Sequence, residues 1–502
     1  MTMVSSEGAT FQCSDGVDYL DLVAQSMSAS VGHSHPRVIA ALKDQLDQLP
    51  YASPAFATEI RARVGERLAR LCPGDLDTFL FTLGGADANE NAIRIARAVT
   101  GRHKILSRYR SYHGATAGAL QLTGDPRRWP GEPGPSGFIK VLDPKPYRFR
   151  FAEHPEAITG AHLRYLEDVI EAEGPEQIAA FVMETVTGIN GAEPPPTADY
   201  LRRLKTMLER YGILLILDEV LCGAGRTGRF LAAEHEGVVP DLVTLAKGIT
   251  GGYAPLGVVG MSRRLADHFT ASPYPGGLTY NSHPLCLAAA EITLKILEED
   301  GLIDRADELG KQLTAGLREL KERHPSVATT RCRGLLGMID LCRDSKGTPI
   351  APFNGTHPVM DRFKARLLEK GVYTAMPMSR SRPSHGRQKP PVRYPAHPAS
   401  PPNHRKDVAC HKVAHCRHRG HHFWQGRYSR SRAGLGQLHE SRRRPAAARS
   451  AASYSRFRES RGTAPRMAGL FAACRPEKRP CANPAIPDIR AHPNRLSSYA
   501  SL

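Results

Sequence analysis

The sequence predicts an α/β fold: a mostly parallel, doubly wound sheet with helices on both faces, followed by a smaller α+β unit. Three observations predict it. Between residues 77 and 260, short apolar runs alternate with amphipathic stretches, the pattern of repeated strand–helix–strand units. Ile213 to Leu217 is a continuous apolar run of strand length, which suits a strand buried on both faces. The run ends in Asp218-Glu219, and open α/β sheets bind ligands beyond the carboxyl ends of their strands.

Taken in order, Tyr19 to Leu22 reads as a strand entering a loop. Pro36 opens a helix through about Gln48, with Val38, Ile39, Leu42 and Leu46 at helical spacing. A second helix runs from about Thr58 to Leu71, with Ile60, Val64, Leu68 and Leu71 on one face. A strand from Asp77 to Leu83 passes through Gly84-Gly85 into a helix that begins near Asp87. His103 to Ser107 is a strand. Residues 124–160, rich in Pro, Gly and Arg, read as a long surface excursion at the rim of a site. A helix over 161–173, a strand from Ile178 to Met183 ending in Glu184, and a helix over 197–211 lead to the apolar run. Ala254 to Met261 is the next strand, followed by a loop and a long helix. A helix over 302–323, a strand from Arg333 to Leu341, a helix over 357–370 and a strand from Val372 to Ala375 begin the smaller unit.

Composition divides the chain. The 502 residues carry a formal net charge of +18, which would suit a nucleic-acid binder. From Met378 onward, however, there are 26 Lys and Arg against 5 Asp and Glu, leaving 42 against 45 before it. Residues 1–377 are therefore near neutral, and no nucleic-acid partner is expected for them. The ten cysteines form no paired framework, which fits reduced thiols. No apolar run reaches membrane-spanning length and no leader-like segment opens the chain, so a cytoplasmic protein without a membrane partner is expected.

The chemistry concentrates between Gly212 and Gly257. There an acid at a strand end (Asp218) is followed by a glycine-rich turn (Gly223, Gly225, Gly228) and by Lys247 in a small-residue loop. A lysine that forms a Schiff base and an acid that keeps a ring nitrogen protonated are what pyridoxal 5′-phosphate requires. Gly84-Gly85 at a helix start is a candidate phosphate site, though many such turns serve only packing. Tyr112-His113-Gly114 could stack on a flat ring, or could be a loop tyrosine packed on its neighbours.

These stretches, in this order, resemble the class III aminotransferases of the fold type I pyridoxal phosphate superfamily. Gly84 to Glu90 resembles the family's phosphate turn, and Tyr112-His113-Gly114 its ring-stacking motif. Asp218-Glu219-Val220 with Gly223-x-Gly225-Arg226-Thr227-Gly228 resembles its glycine motif, Ala246-Lys247-Gly248 its Schiff-base site, and Leu278 to Pro284 its dimer-crossing loop. The match covers roughly residues 5–376. It implies that Lys247 binds the coenzyme and then shuttles a proton, and that Asp218 pairs with the ring nitrogen. It implies that Val220 and Tyr112 cover the two ring faces and that the backbone of Gly85 and Ala86 holds the phosphate. Thr279 would reach the phosphate of a partner subunit, which implies a homodimer. Glu184, Glu219 and His113 would stand behind these groups; Glu219 could instead pair with Arg226 as scaffold, and Glu184 could be an ordinary strand-end acid. No metal is expected.

The resemblance implies ping-pong transfer from an amine or amino acid donor to a keto acid acceptor. Leu221-Cys222, where the ornithine-type branch usually has Gln first, resembles the branch using ω-amino acids or amines with pyruvate, so β-alanine, taurine or a similar donor is expected. An aminomutase, racemase or phospho-lyase of the same fold is the alternative, as is a catalytically impaired protein with a basic binding tail. The implied domains are 1–55 (N-terminal part of the small domain), 56–300 (large, cofactor-binding), 301–377 (small domain, incomplete) and 378–502 (basic tail). After Met376 the apolar periodicity stops, and Arg, Pro, Ser, His and Ala dominate. Such a stretch buries too little surface to offset its chain entropy. The favoured reading is out-of-frame translation of a GC-rich gene, since the break falls inside a folding unit. The others are a basic disordered arm binding nucleic acid or an anionic membrane, and a metal cluster around Cys410, His411, His415 and Cys416, whose spacing fits no regular zinc pattern. Displacement of the frame would cost both core and the substrate arginine that the family commonly supplies there.

Overall fold

The computed structural model describes residues 1–144, 151–188 and 190–375. The readings made for the tail lie outside these residues. At the centre is a seven-stranded sheet whose order is Leu76–Thr82, Gly257–Ser262, Leu242–Leu245, Leu214–Asp218, Ile178–Glu184, Lys104–Arg108 and Phe138–Val141. Only Gly257–Ser262 runs antiparallel to its neighbours, so the sheet is mostly parallel, as expected. Every residue of Ile178–Glu184 and Leu214–Asp218 is buried, which explains why these strands read as continuous apolar runs and not as alternations.

Helix Gly85–Thr100 covers one face through Ala88, Ala92, Ile95 and Ala96. Helices Pro155–Glu173 and Tyr200–Arg210 contribute Leu166, Ile170, Leu204 and Leu208 to a separate apolar cluster with other residues of the sheet. Helices Pro36–Gln48 and Glu59–Leu71 have the predicted bounds within a residue. Pro36 sits at the first helical position, where its missing N–H costs nothing, and the His35 ring accepts the N–H of Arg37. Both helices pack on Pro284–Glu299, with Ile60, Val64 and Leu68 turned into the core.

Four expectations need correction. Residues 124–160 are not wholly an excursion: Phe138–Val141 is the edge strand of the central sheet, and the helix expected from 161 begins at Pro155. Leu242–Leu245 is a further strand, four buried residues too short to stand out as a run. The strand expected from Ala254 starts at Gly257. The single strand expected from Arg333 to Leu341 is a hairpin of Val327–Arg333 and Leu336–Leu341. Its turn is possible because Gly334 adopts a φ of +55°, where a side chain would also run into the backbone of Thr227.

A second sheet joins Met3–Glu7, Thr10–Cys13 and Asp18–Asp21 to Val372–Tyr373, the last pair parallel. Phe11, Cys13 and Tyr19 form its small core with Leu368 and Tyr373. Between Asp21 and His33 the chain makes a left-handed turn in which Ala24, Gln25, Ser26 and Met27 all have positive φ. Asp21 holds it, accepting the N–H groups of Val23 and Gln25, each at 3.0 Å. Ser30 then donates to the carbonyl of Gly248 at 2.7 Å, which ties this segment to the loop of Lys247.

Candidate active site

Glu184, Asp218 and Thr244 stand side by side in register near the carboxyl ends of three adjacent parallel strands. All three are buried, Asp218 to 3% exposure. Asp218 is the most heavily bonded of them. Its Oδ1 accepts the N–H of Val220 at 3.0 Å. Its Oδ2 accepts from Asn89 Nδ2 at 2.8 Å and lies 2.7 Å from His113 Nδ1. The same Asn89 amide donates to the carbonyl of His113, and its Oδ1 accepts from Thr244 Oγ1 at 2.9 Å. Such a network satisfies and orients a carboxylate that would otherwise be costly to bury. His113 is thus in direct contact with the central acid, while its Nε2 is buried without a hydrogen-bond partner among the described residues.

Asn89 and Thr244 were not anticipated. Asn89 lies within the quoted glycine-turn motif, four residues after Gly85, so its helical position was available as a signal. Thr244 becomes visible only once strand register places it beside Asp218.

Glu184 Oε1 accepts the N–H of Gly188 at 3.0 Å, and Oε2 accepts that of Tyr112 at 3.4 Å. Burial pushes its pKa up; the neighbouring His113 opposes that shift and Asp218 adds to it. Glu219 does not pair with Arg226. Its carboxylate accepts instead from Thr185 Oγ1 and from the N–H groups of Ala232 and Ala233, at 2.7 to 2.9 Å. It therefore stitches the strand end to the segment after Leu231, and among the described residues the Nη2 of Arg226 is buried without a hydrogen-bond partner.

Lys247 follows strand Leu242–Leu245 and has a φ of +42°, an uncommon conformation for a side-chain-bearing residue. Strain of this kind, about 1–3 kcal/mol, gathers at functional positions. Burial lowers the pKa of its amine; Asp218 and Glu184 oppose that shift and Arg127 adds to it.

At the other side of the cluster, no side chain among the described residues caps helix Gly85–Thr100, so the N–H groups of Gly85 and Ala86 are left over by helix geometry. A Cβ on Gly85 would stand 2.8 Å from Val220 Cγ1, and one on Gly114 2.8 Å from Ala86 Cα. Three motifs distant in sequence therefore meet at contact distance. With φ at +139° and no space, Gly114→Ala is expected to cost about 3 kcal/mol, read as a lower denaturation midpoint. Tyr112 lies beneath the guanidinium of Arg127, whose Cζ is 3.5 Å from the ring centroid. Thr279 is not part of this cluster among the described residues. It lines an exposed groove with Tyr51, Pro54 and Leu278, and its carbonyl accepts from the Tyr51 hydroxyl at 3.1 Å. All six cysteines of the described residues are free. Cys222 is buried against a small apolar cluster, with its Sγ 3.5 Å from Glu219 Oε2, and Cys286 packs against the main core.

A mostly parallel sheet with an acid, a partly buried lysine and an uncapped helix start at one edge is an α/β architecture with a candidate coenzyme site. The aminotransferase class-III family model matches residues 1–382, and the chain belongs to that family. It is 36% identical over 367 residues to 5-aminovalerate aminotransferase of Pseudomonas putida, covering 72% of this chain and 83% of that protein. It is 38% identical over 340 residues to acetylornithine aminotransferase of Mycolicibacterium smegmatis, covering 67% and 79%. Among solved structures, taurine:2-oxoglutarate aminotransferase of Bifidobacterium kashiwanohense, in complex with pyridoxal phosphate and glutamate, superposes with a TM-score of 0.72. The two are 35% identical, with coverage of 76% and 85%. An (S)-enantioselective omega-transaminase of Thermomicrobium roseum gives 0.71 at 37% identity, covering 76% and 86%. The reaction class is pyridoxal-phosphate-dependent transamination.

Proposed function

We propose that Lys247 is the lysine that binds the coenzyme and Asp218 the acid that pairs with its ring nitrogen. Bound there, pyridoxal phosphate supplies a carbonyl carbon for amino groups and a ring that accepts electrons. The observation that carries this reading is the convergence of the Lys247 loop, the Asp218 network and the uncapped start of helix Gly85–Thr100 at one edge of the sheet. The N–H groups of Gly85 and Ala86 suit a phosphate. Tyr112 offers an aromatic face, and Val220, against Gly85, an aliphatic one. His113 and Asn89 fix the Asp218 carboxylate, and Glu184 steadies the Tyr112 backbone. Lys247 Nζ takes the proton from the substrate carbon and returns it, a role that requires an amine with a lowered pKa.

That pKa gives a directional prediction. A depressed lysine is free base over a pH range in which an exposed lysine is still protonated. The rate of coenzyme capture by coenzyme-free protein is expected to rise with pH through the lowered pKa and to level off below about 10.4, the exposed-lysine value. Stopped-flow absorbance checks this; a rise continuing to that value would contradict it.

The donor is proposed to be an amine or ω-amino acid such as β-alanine or taurine, and the acceptor a keto acid, with pyruvate first. Leu221-Cys222 supports this, as do the names of two of the relatives, which act on 5-aminovalerate and taurine; another relative is named for acetylornithine. Because one neighbour is a 2-oxoglutarate enzyme, both acceptors belong in the assay. Transfer from β-alanine or taurine to pyruvate supports the reading; transfer only from α-amino acids would overturn it.

A homodimer is proposed, with Thr279 serving the partner's site. Its exposed position supports this, as does Tyr280, 56% exposed beside it. A monomer in analytical ultracentrifugation of the loaded protein would contradict the proposal. The domain division is proposed as 1–55 with 301–377 around 56–300, supported by the pairing of Val372–Tyr373 with Asp18–Asp21. No helix among the described residues is long and apolar enough to cross a membrane, and a cytoplasmic location is proposed.

A further inference from the structure

We propose that Arg127 recognises the acidic group, carboxylate or sulfonate, of the substrates at this site. The proposal rests on the amino-transfer reading and adds to it the residue that reads the substrate's charge.

The short helical turn Pro126–Gly131 starts at Asp125, whose Oδ1 accepts the N–H of Arg127 at 2.9 Å. The same carboxylate grips the guanidinium from the side. Arg127 Nε donates to Oδ1 and Oδ2 at 3.1 and 3.0 Å, and Nη2 donates to Oδ2. Asp125 is only 4% exposed, and Asn190 Nδ2 donates to its Oδ2 at 3.3 Å. The carboxylate is therefore a fixed mount for the arginine.

This grip occupies the Nε–Nη2 edge. Nη1 has no hydrogen-bond partner among the described residues, which leaves the Nη1–Nη2 end of the fork available. That end has the planar two-donor geometry that suits a pair of carboxylate or sulfonate oxygens. The ring of Tyr112 supports the guanidinium plane at 3.5 Å, so the cation is held by a buried acid on one edge and an aromatic face below. Its side chain is nonetheless 26% exposed, open to a ligand.

Position completes the argument. The backbone of Tyr112 bonds Glu184, which stands in register beside Asp218. The charge of Arg127 reaches the amine of Lys247 and helps to lower its pKa. An anionic substrate approaching this edge meets the buried acids Asp218 and Glu184. A cation at the rim offsets that repulsion and sets the orientation in which the amino or keto carbon faces Lys247. Arg127 belongs to the segment before Phe138–Val141, so acid recognition of this kind needs nothing beyond residue 375.

The test uses the full-length, coenzyme-loaded protein and two variants, Arg127→Gln and Arg127→Lys. Propionate, an acid without an amino group, is titrated by calorimetry. Donor KM values are measured for β-alanine and for 1-phenylethylamine, which carries no acid. Loss of a two-point charge-assisted contact is expected to raise the propionate Kd about tenfold to hundredfold in Arg127→Gln. The ratio of the β-alanine KM to the 1-phenylethylamine KM is expected to rise by a similar factor. Arg127→Lys keeps the charge without the fork and is expected to fall between. Retention of the coenzyme's absorption band by Arg127→Lys separates this effect from misfolding. An unchanged propionate Kd in Arg127→Gln overturns the proposal, as does a parallel shift of both KM values that leaves their ratio constant. If no donor is turned over but propionate binding still falls in Arg127→Gln, the amino-transfer reading fails and the assignment of Arg127 stands.

Discussion

Replacing Lys247 by alanine is expected to lower amino transfer about ten-thousandfold or more and to remove the coenzyme's covalent absorption band. Two functions disappear with one side chain. The first is attachment: Lys247 is the amine that follows Leu242–Leu245, held at a φ of +42° beside the Asp218 network. The second is proton transfer at the substrate carbon, which alone supplies about a hundred- to ten-thousandfold. Coenzyme affinity should fall less than the rate, because the phosphate and ring contacts do not pass through this residue. Added small amines should restore part of the proton transfer to Lys247→Ala. A rate within tenfold of the parent would contradict the role given to the residue.

The second large effect is expected from Asp218→Asn, a loss of about a hundred- to a thousandfold in turnover with the covalent band retained. An amide has nearly the shape of the carboxylate but no charge to keep a ring nitrogen protonated. It also disturbs its partners. Oδ2 faces two potential donors, Asn89 Nδ2 and His113 Nδ1, and an amide nitrogen in that place would oppose them. The variant should therefore also be less stable, by about 1–3 kcal/mol for an unsatisfied buried group. Equal turnover in Asp218→Asn and the parent would show that the acid is structural only.

How much could be read before the structure depended on the kind of signal. Strand Leu214–Asp218 was legible because its burial on both faces leaves an unbroken apolar run of the right length. Helices Pro36–Gln48 and Glu59–Leu71 were legible because one buried face imposes helical spacing. Phe138–Val141 was hidden: a four-residue edge strand carries little pattern, and its surroundings are rich in Pro and Gly. The hairpin at Gly334 was missed because Arg333 to Leu341 reads equally well as one strand; only a positive φ turns the chain. The left-handed turn over Ala24 to Met27 has no glycine to announce it and depends on hydrogen bonds from Asp21.

The site divides in the same way. Asp218 and Lys247 could be proposed from the sequence because the chemistry expected of them is tied to local sequence, a strand end and a small-residue loop. Thr244 and Arg127 could not, because their contacts come from strand register or from a neighbour whose grip is set by the turn; Asn89 carried only its helical position in the motif as a signal, its bonds to Asp218 and Thr244 spanning more than a hundred residues. The mistaken Glu219–Arg226 pair shows the limit of opposite charges close in sequence: backbone N–H groups took up the carboxylate first.

Lys247 is proposed to carry the coenzyme. Borohydride reduction of the loaded, full-length protein, followed by peptide mapping by mass spectrometry, tests it directly. The coenzyme-derived mass is expected on the peptide containing Lys247 and on no other lysine. Labelling of a different lysine, or no label on a protein that has taken up the coenzyme, would contradict it.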